Sequence, residues 1–187
     1  MRVSLGYTTL ELLIVIAILA ILSFIAIQEI LSYIQDARLK EGVNQFLSDL
    51  NQVKNKAIIT GRPWGIRACG GQGKYKIFID HDGDCKDEAP SCESTDTQKV
   101  CLNAFNKTCQ SDADCPFSQQ GSCISRSQYF QLPPGITFNA SFYVVFDRLG
   151  YPYNYSCGNG EGNATLINAK GKYLKIILSR LGRIRVE

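Results

Sequence analysis

The rhythm of apolar and polar positions changes twice along this chain. From Leu12 to Ile27 every residue is apolar except Ser23, so this stretch has no polar face. With its flanks it is about 20 residues long, enough to cross a hydrocarbon core as a helix. From Leu39 the apolar positions become periodic. Leu39, Val43, Phe46, Leu50, Val53 and Ala57 follow one another at steps of four, three, four, three and four. That spacing is one face of an amphipathic helix, with Lys40, Asp49, Lys54 and Lys56 on the other side. Gly61 and Pro63 end it, because glycine accepts the left-handed position past a helix C-terminus and proline cannot continue the ladder. One helix over 9–60 is therefore predicted, 52 residues and about 78 Å at ~1.5 Å per residue. Its second half should be buried against the domain that follows.

After Pro63 the period falls to two. WGIRAC (64–69) and YKIFID (75–80) read as strands around a glycine-rich turn. YFQL (129–132), ITFNA (136–140), YVVFD (143–147), ATLINA (164–169), YLKIILS (173–179) and RIRVE (183–187) follow, with turn residues between them. Short strands joined by glycine turns predict antiparallel sheets. No such rhythm runs from Asp80 to Gln128, a polar stretch that holds six of the eight cysteines. It is long for an unsupported loop, and disulfides would supply the support. Cys109 to Cys123 reads as a small disulfide-closed knob, and no internal repeat stands out. The fold class predicted is α+β: a long N-terminal helix, membrane-spanning in its first half, packed on an antiparallel two-sheet β domain with a disulfide-rich insert.

Composition narrows the function. The chain has 187 residues and a net charge of +3, too near neutral to argue a nucleic-acid partner alone. His81 is the one histidine, which excludes a multi-histidine metal site within one chain. Eight cysteines behind a membrane-targeting start favour disulfides in an oxidising compartment. The candidates are Cys69, Cys85, Cys92, Cys101, Cys109, Cys115, Cys123 and Cys157, and eight cysteines allow 105 pairings. Zinc is the alternative, but its ligands favour shorter gaps than the eight, six and eight positions from Cys101 to Cys123. Basic residues on both sides of the span, Arg2 before it and Arg38 and Lys40 after, leave orientation open.

Glu11 does not belong in an ordinary anchor, because a carboxylate at such a run has a cost and usually a partner. A secretory signal peptide would have a shorter core and a small-residue cleavage site. The stretch GYTTLELLIVIAILAIL at 6–22 resembles the processing and anchor motif of type IV prepilins and of type II secretion pseudopilins. The resemblance implies cleavage after Gly6 by a prepilin peptidase, N-methylation of Tyr7 by the same enzyme, and a role for Glu11 in neutralising the terminal amine of a neighbouring subunit during assembly. The usual residue after the cut is Phe, so Tyr7 departs mildly from the pattern. Further on, AIITGRPWGIR, YKIFIDHDGDCKDE, FQLPPGITF, YVVFDRLGYP and KIILSRLGRIRV, in that order, are similar to the GspH/FimT family of minor pseudopilins and minor pilins. In that family two β-sheets pack on the second half of the helix. The resemblance implies a leader at 1–6, a helix at 7–60 that crosses the membrane at about 8–31, and a periplasmic β domain at 61–187. The cysteine-rich insert at about 85–127 departs from the family. The implied place is the bacterial inner membrane, single-pass, with the domain in the periplasm and the subunit incorporated in a pseudopilus or pilus. The implied partners are other pseudopilins or pilins, the peptidase, an inner-membrane assembly platform and membrane lipid.

Three further patterns bear on chemistry. Asp80, Asp82 and Asp84 alternate in DHDGD and could gather around calcium, although the glycine and glutamate of an EF-hand loop are out of place. The bland reading is a polar turn. Arg183 and Arg185 alternate on the last strand and so share a face, where they could hold DNA phosphates. A G-R-x-R ending has been linked to DNA binding in some FimT-type pilins, and the ending here is similar; a charged edge strand is the other reading. The sequons at Asn106, Asn139, Asn154 and Asn163 are incidental in a bacterial chain. No catalytic motif occurs among the usual patterns. The expectation is a structural subunit with no cofactor, in a type II pseudopilus or, alternatively, in a type IV pilus that captures DNA.

Overall fold

The computed structural model describes residues 8–87, 91–93, 97–104, 107–116 and 122–187. Helix α1 spans Thr9–Thr60. Strands β1 (Trp64–Ala68), β2 (Lys74–Ile79), β3 (Lys99–Cys101), β4 (Cys123–Ser125), β5 (Ser127–Gln131) and β6 (Ile136–Phe138) follow. Then come β7 (Phe142–Phe146), β8 (Pro152–Tyr153), β9 (Gly162–Asn168), β10 (Tyr173–Leu178) and β11 (Ile184–Val186). The chain divides into two compact units, residues 1–37 and 38–187.

The first unit is helical wherever it is described past Thr8. Its large apolar side chains from Leu10 to Phe24 are between 48 and 69 % exposed. This helix is apolar on all sides and long enough to cross a membrane by length and composition.

The second unit is built around the other part of α1. Leu39, Val43, Phe46, Leu50, Val53 and Ala57 are all buried, as their spacing requires. Phe46 packs edge-on against Tyr75, Phe138 and Phe142, with ring centroids 5.1, 4.9 and 6.0 Å away. These partners lie on β2, β6 and β7, so one helix residue ties both large sheets together. Sheet one has the order β5-β2-β1-β7-β8 and sheet two β11-β10-β9-β6, with every pairing antiparallel. Gln45 and Asp49 add polar contacts to the same seam. The Tyr75 hydroxyl donates to the Asp49 carboxylate and accepts from Gln45 Nε2 at 2.9 Å. The helix ends at Thr60, and Gly61 takes a left-handed φ of 64°.

The eight strands read from the sequence are all present, with ends shifted by one or two residues. Three others, β3, β4 and β8, escaped that reading. The stretch before Gln128 is thus not without regular structure: β3 and β4 pair in a hairpin with Cys101 opposite Cys123. At two or three residues, none of these strands is long enough to display alternation. All eight cysteines pair: Cys69 with Cys92, Cys85 with Cys157, Cys101 with Cys115, and Cys109 with Cys123. The last two bridges lie inside the insert. The first two fasten its early part to the β domain.

Cys85 and Asp87 of that early part lie against the outer face of sheet one. Lys76 and Phe78 point away from the helix side, yet both are buried. Phe78 lies over Gly65, its cross-strand partner, and no larger residue at 65 would leave the ring that place. Lys76 Nζ meets Asp87 Oδ1 at 2.7 Å, and Arg67 Nε meets Asp87 Oδ2 at 2.9 Å. Arg67 also lies over the Tyr143 ring at 5.0 Å. A buried lysine is tolerable only with such a counter-charge.

Candidate functional site

Of the assembly residues implied by the N-terminal motif, Gly6 and Tyr7 lie outside the described residues. Glu11 stands in the first turn of α1 with an exposed side chain. Thr8 precedes the helix and caps it. The Glu11 N–H donates to Thr8 Oγ1 at 3.2 Å, and the Leu12 N–H to the Thr8 carbonyl at 3.2 Å. Glu11 is therefore the third helical residue, where a carboxylate is favoured by the helix dipole.

The second candidate is the loop after β2. Asp80, Asp82 and Asp84 each bring a carboxylate oxygen within 4.8 Å of the others, as the alternation suggested. Their roles differ. Asp80 is buried and accepts the N–H groups of Gly83 at 2.8 Å and Cys85 at 3.0 Å. Burial first, and then sharing a proton with Asp82, pushes the Asp80 carboxyl up to about 7. Asp84 accepts both the Lys86 N–H and its ammonium, at 2.8 and 2.9 Å, and that ammonium holds the Asp84 carboxyl below its usual value. The oxygen-rich triad has ligands of the type calcium takes, and the same loop is fully explained as a capped turn. A cleft of about 240 Å³ beside it is lined by Asp80, Asp147, Tyr153 and the Cys85–Cys157 bridge among others.

The third candidate is β11. Arg183 and Arg185 are both exposed, and Arg185 sits opposite Ile177 of β10. Arg185 Nη2 lies 3.1 Å from Glu187 Oε1. Ser179, Leu181 and Ile177 join the two arginines around a groove of about 450 Å³. The structure thus brings both arginines to one groove, far in character from the acidic loop. Lys172 and Lys175, nearby in sequence, do not line it.

Sequence reading missed two arrangements. One is the Lys76–Asp87–Arg67 network, which alternation alone would have left in solvent; the apolar Phe78 on the same face of β2 was the available signal. The other is a short repeat, Arg148-Leu149-Gly150 and Arg180-Leu181-Gly182, in the turns after β7 and β10. Three residues are too few to register as a sequence repeat, and only the fold sets them side by side.

No family model and no curated protein matches this chain. Among solved structures, the minor pseudopilin EpsH from the type 2 secretion system of Vibrio cholerae is similar to it, with 9 % identity and a TM-score of 0.45. The match covers 80 % of this chain and 96 % of that one.

Proposed function

We propose that this chain is a structural subunit of a pilin-like fibre, a minor pseudopilin of a type II secretion system. In this reading the 1–6 leader is removed after Gly6, Tyr7 becomes the methylated N-terminus, and Glu11 guides the subunit into the fibre. The disulfide-bonded domain stands in the periplasm, and the fibre promotes export of folded proteins across the outer membrane. The observation that carries the proposal is the join in sequence of Gly6 and Glu11 to an apolar helix whose described large side chains from Leu10 to Phe24 are all exposed. Such a surface needs lipid first and other helices next. The continuation of the same helix into the core of a disulfide-rich domain fits a subunit that leaves the membrane by its first half while the domain stays intact.

Replacing Glu11 with Ala tests assembly. The variant should be made, cut and folded, yet be lost from the fibre; normal incorporation overturns the role of Glu11. A deletion strain tests the machine. Secreted proteins should collect in the periplasm while surface pili stay normal, and complementation should restore export. Intact secretion with defective pili would move the chain to a type IV pilus.

The exposure of Arg183 and Arg185 on one groove favours a second reading, a minor type IV pilin that captures DNA. The full chain in detergent should then bind duplex DNA at low salt, with affinity falling as salt rises. Replacing both arginines with Ala should abolish binding, and no binding at low salt overturns this reading.

A further inference from the structure

One of the four bridges differs from the rest in access. Cys157 is exposed, and no other cysteine of the eight is. Cys92, Cys101 and Cys115 are buried, and Cys69, Cys109 and Cys123 are half-buried. The partner of Cys157, Cys85, is 8 % exposed. Together they line the cleft of about 240 Å³ beside Asp147 and Tyr153. The bridge is thus open to solvent at its Cys157 end.

Its backbone differs too. Among the described residues, only two that are not glycine have left-handed φ, and they are Cys85 at 60° and Cys157 at 56°. Cysteine has neither the freedom of glycine nor the short polar side chain with which Asn and Asp tolerate this conformation. Such a residue stays left-handed only where its surroundings hold it. The Cys85 N–H donates to Asp80 Oδ2 at 3.0 Å, and the Cys85 carbonyl accepts from the Tyr143 hydroxyl at 2.7 Å. The Cys157 N–H donates to the Asn154 carbonyl at 3.0 Å. Asn154 Oδ1 takes the N–H groups of Ser156 and Gly158 at 2.9 and 3.0 Å. The bridge therefore joins two tight turns at the very residues whose backbones are held against their preference.

We propose that Cys85–Cys157 is a thiol–disulfide exchange site, attacked at Cys157 by a Cys-x-x-Cys oxidoreductase in its dithiol form. The attacking thiolate forms a mixed disulfide with Cys157 Sγ, and Cys85 leaves as a thiolate that takes a proton from water. The second thiol of the oxidoreductase, having lost its proton, then attacks its partner sulfur in the mixed disulfide. Cys157 leaves and is protonated in turn. Two electrons pass, so the bridge becomes two thiols and the dithiol becomes a disulfide. Exposed bridges and strained bridges are the readily reduced ones, and this bridge is both. Opening it frees residues 80–87 from the turn at 154–158. The other three bridges and the buried stripe of α1 do not depend on it, so the change is local. The proposal goes beyond the fibre reading and holds whichever fibre the chain joins.

The test treats the full-length chain in detergent with dithiothreitol under native conditions. Free thiols are alkylated at intervals and located by mass spectrometry. Cys85 and Cys157 should appear first, at least about tenfold faster than any other pair, the weight of one left-handed residue. In parallel, a thioredoxin-type protein with Cys-x-x-Ser at its site acts as a trap and should form its mixed disulfide at Cys157. Another pair opening first, all four opening together, or a trap joined to a different cysteine or to none overturns the proposal. The double variant Cys85→Ser with Cys157→Ser tests whether opening is local. Hydrogen exchange should rise in residues 80–87 and stay unchanged in residues 39–57. A double variant that fails to fold makes the bridge a structural staple and overturns the proposal as well.

Discussion

The two parts of α1 have the same backbone and nearly the same richness in apolar residues, yet opposite surroundings. In residues 1–37 the described large apolar side chains are exposed; in the stretch from Leu39 to Ala57 the six periodic ones are buried. What differs is the arrangement. Apolar residues on every side leave a helix with no face to turn outward, so it can be satisfied only by lipid or by other helices. Apolar residues on one stripe leave the remaining surface to charges, and the stripe can be covered by the chain's own sheets. Hydrophobicity alone does not say whether a helix belongs to its own domain; periodicity does.

The strongest way to break this comparison is to truncate one residue in each part. Phe46→Ala should lower the unfolding free energy of the domain by about 3–5 kcal/mol, measured by denaturant titration of the full chain in detergent. Ile14→Ala should change it by less than about 0.5 kcal/mol. A smaller loss for Phe46 than for Ile14 would mean that the stripe is not what holds the sheets.

A second test uses pH, because the domain carries a buried carboxyl and the apolar run does not. In the folded state Asp80 keeps its proton up to about 7, whereas in the unfolded chain it releases it near ~4. The folded state therefore holds more protons across that window, and stability falls as pH rises through it, by at most about 1.4 kcal/mol per pH unit. Unfolding curves at pH 5 and 7 should show the loss, and Asp80→Asn should flatten it. A stability that rises with pH over this range in the native chain, unchanged in the variant, would show that Asp80 is ionised in the folded state.

Tyr75→Phe is a smaller probe of the seam between helix and sheet. It removes the hydroxyl shared by Asp49 and Gln45 and should cost about 1–2 kcal/mol, read from the same titration. Gly42→Ala is smaller still. A methyl there would meet Ile136 and Pro133 at 3.4 Å, an ordinary contact, while glycine inside a helix is weaker than alanine by about 1 kcal/mol. The variant should gain a few tenths to ~1 kcal/mol, seen as a higher midpoint. A loss would mean that the helix sits closer to the Pro133 turn than its stripe demands.

The core stripe of α1 was legible because a helix writes its buried face into the spacing of residues such as Leu39 and Val43. The long strands were legible for the same reason at period two. β3 and β4 were not, since three residues cannot show a period and two of theirs are cysteines. The pairing of the cysteines was hidden because it depends on which loops meet in space: Cys85 and Cys157 are 72 residues apart. Lys76 gave a misleading cue, since a lysine on the outer face of a strand ordinarily marks solvent. The acidic triad after β2 was readable as a cluster, but the distinct burial of Asp80 was not. The twin turns were in plain view as letters and invisible as a pair, because nothing in one dimension says that Gly150 and Gly182 abut.

The order of the four bridges has one more consequence. Cys69–Cys92 interleaves with Cys85–Cys157, and Cys101–Cys115 interleaves with Cys109–Cys123. A protease that cuts once anywhere between Cys69 and Cys157 therefore leaves two pieces still covalently joined. Exposed loop tips are the usual sites of nicking, and the cysteine-rich segment offers several. Here a single nick there releases no fragment, so the segment can be damaged and stay in place.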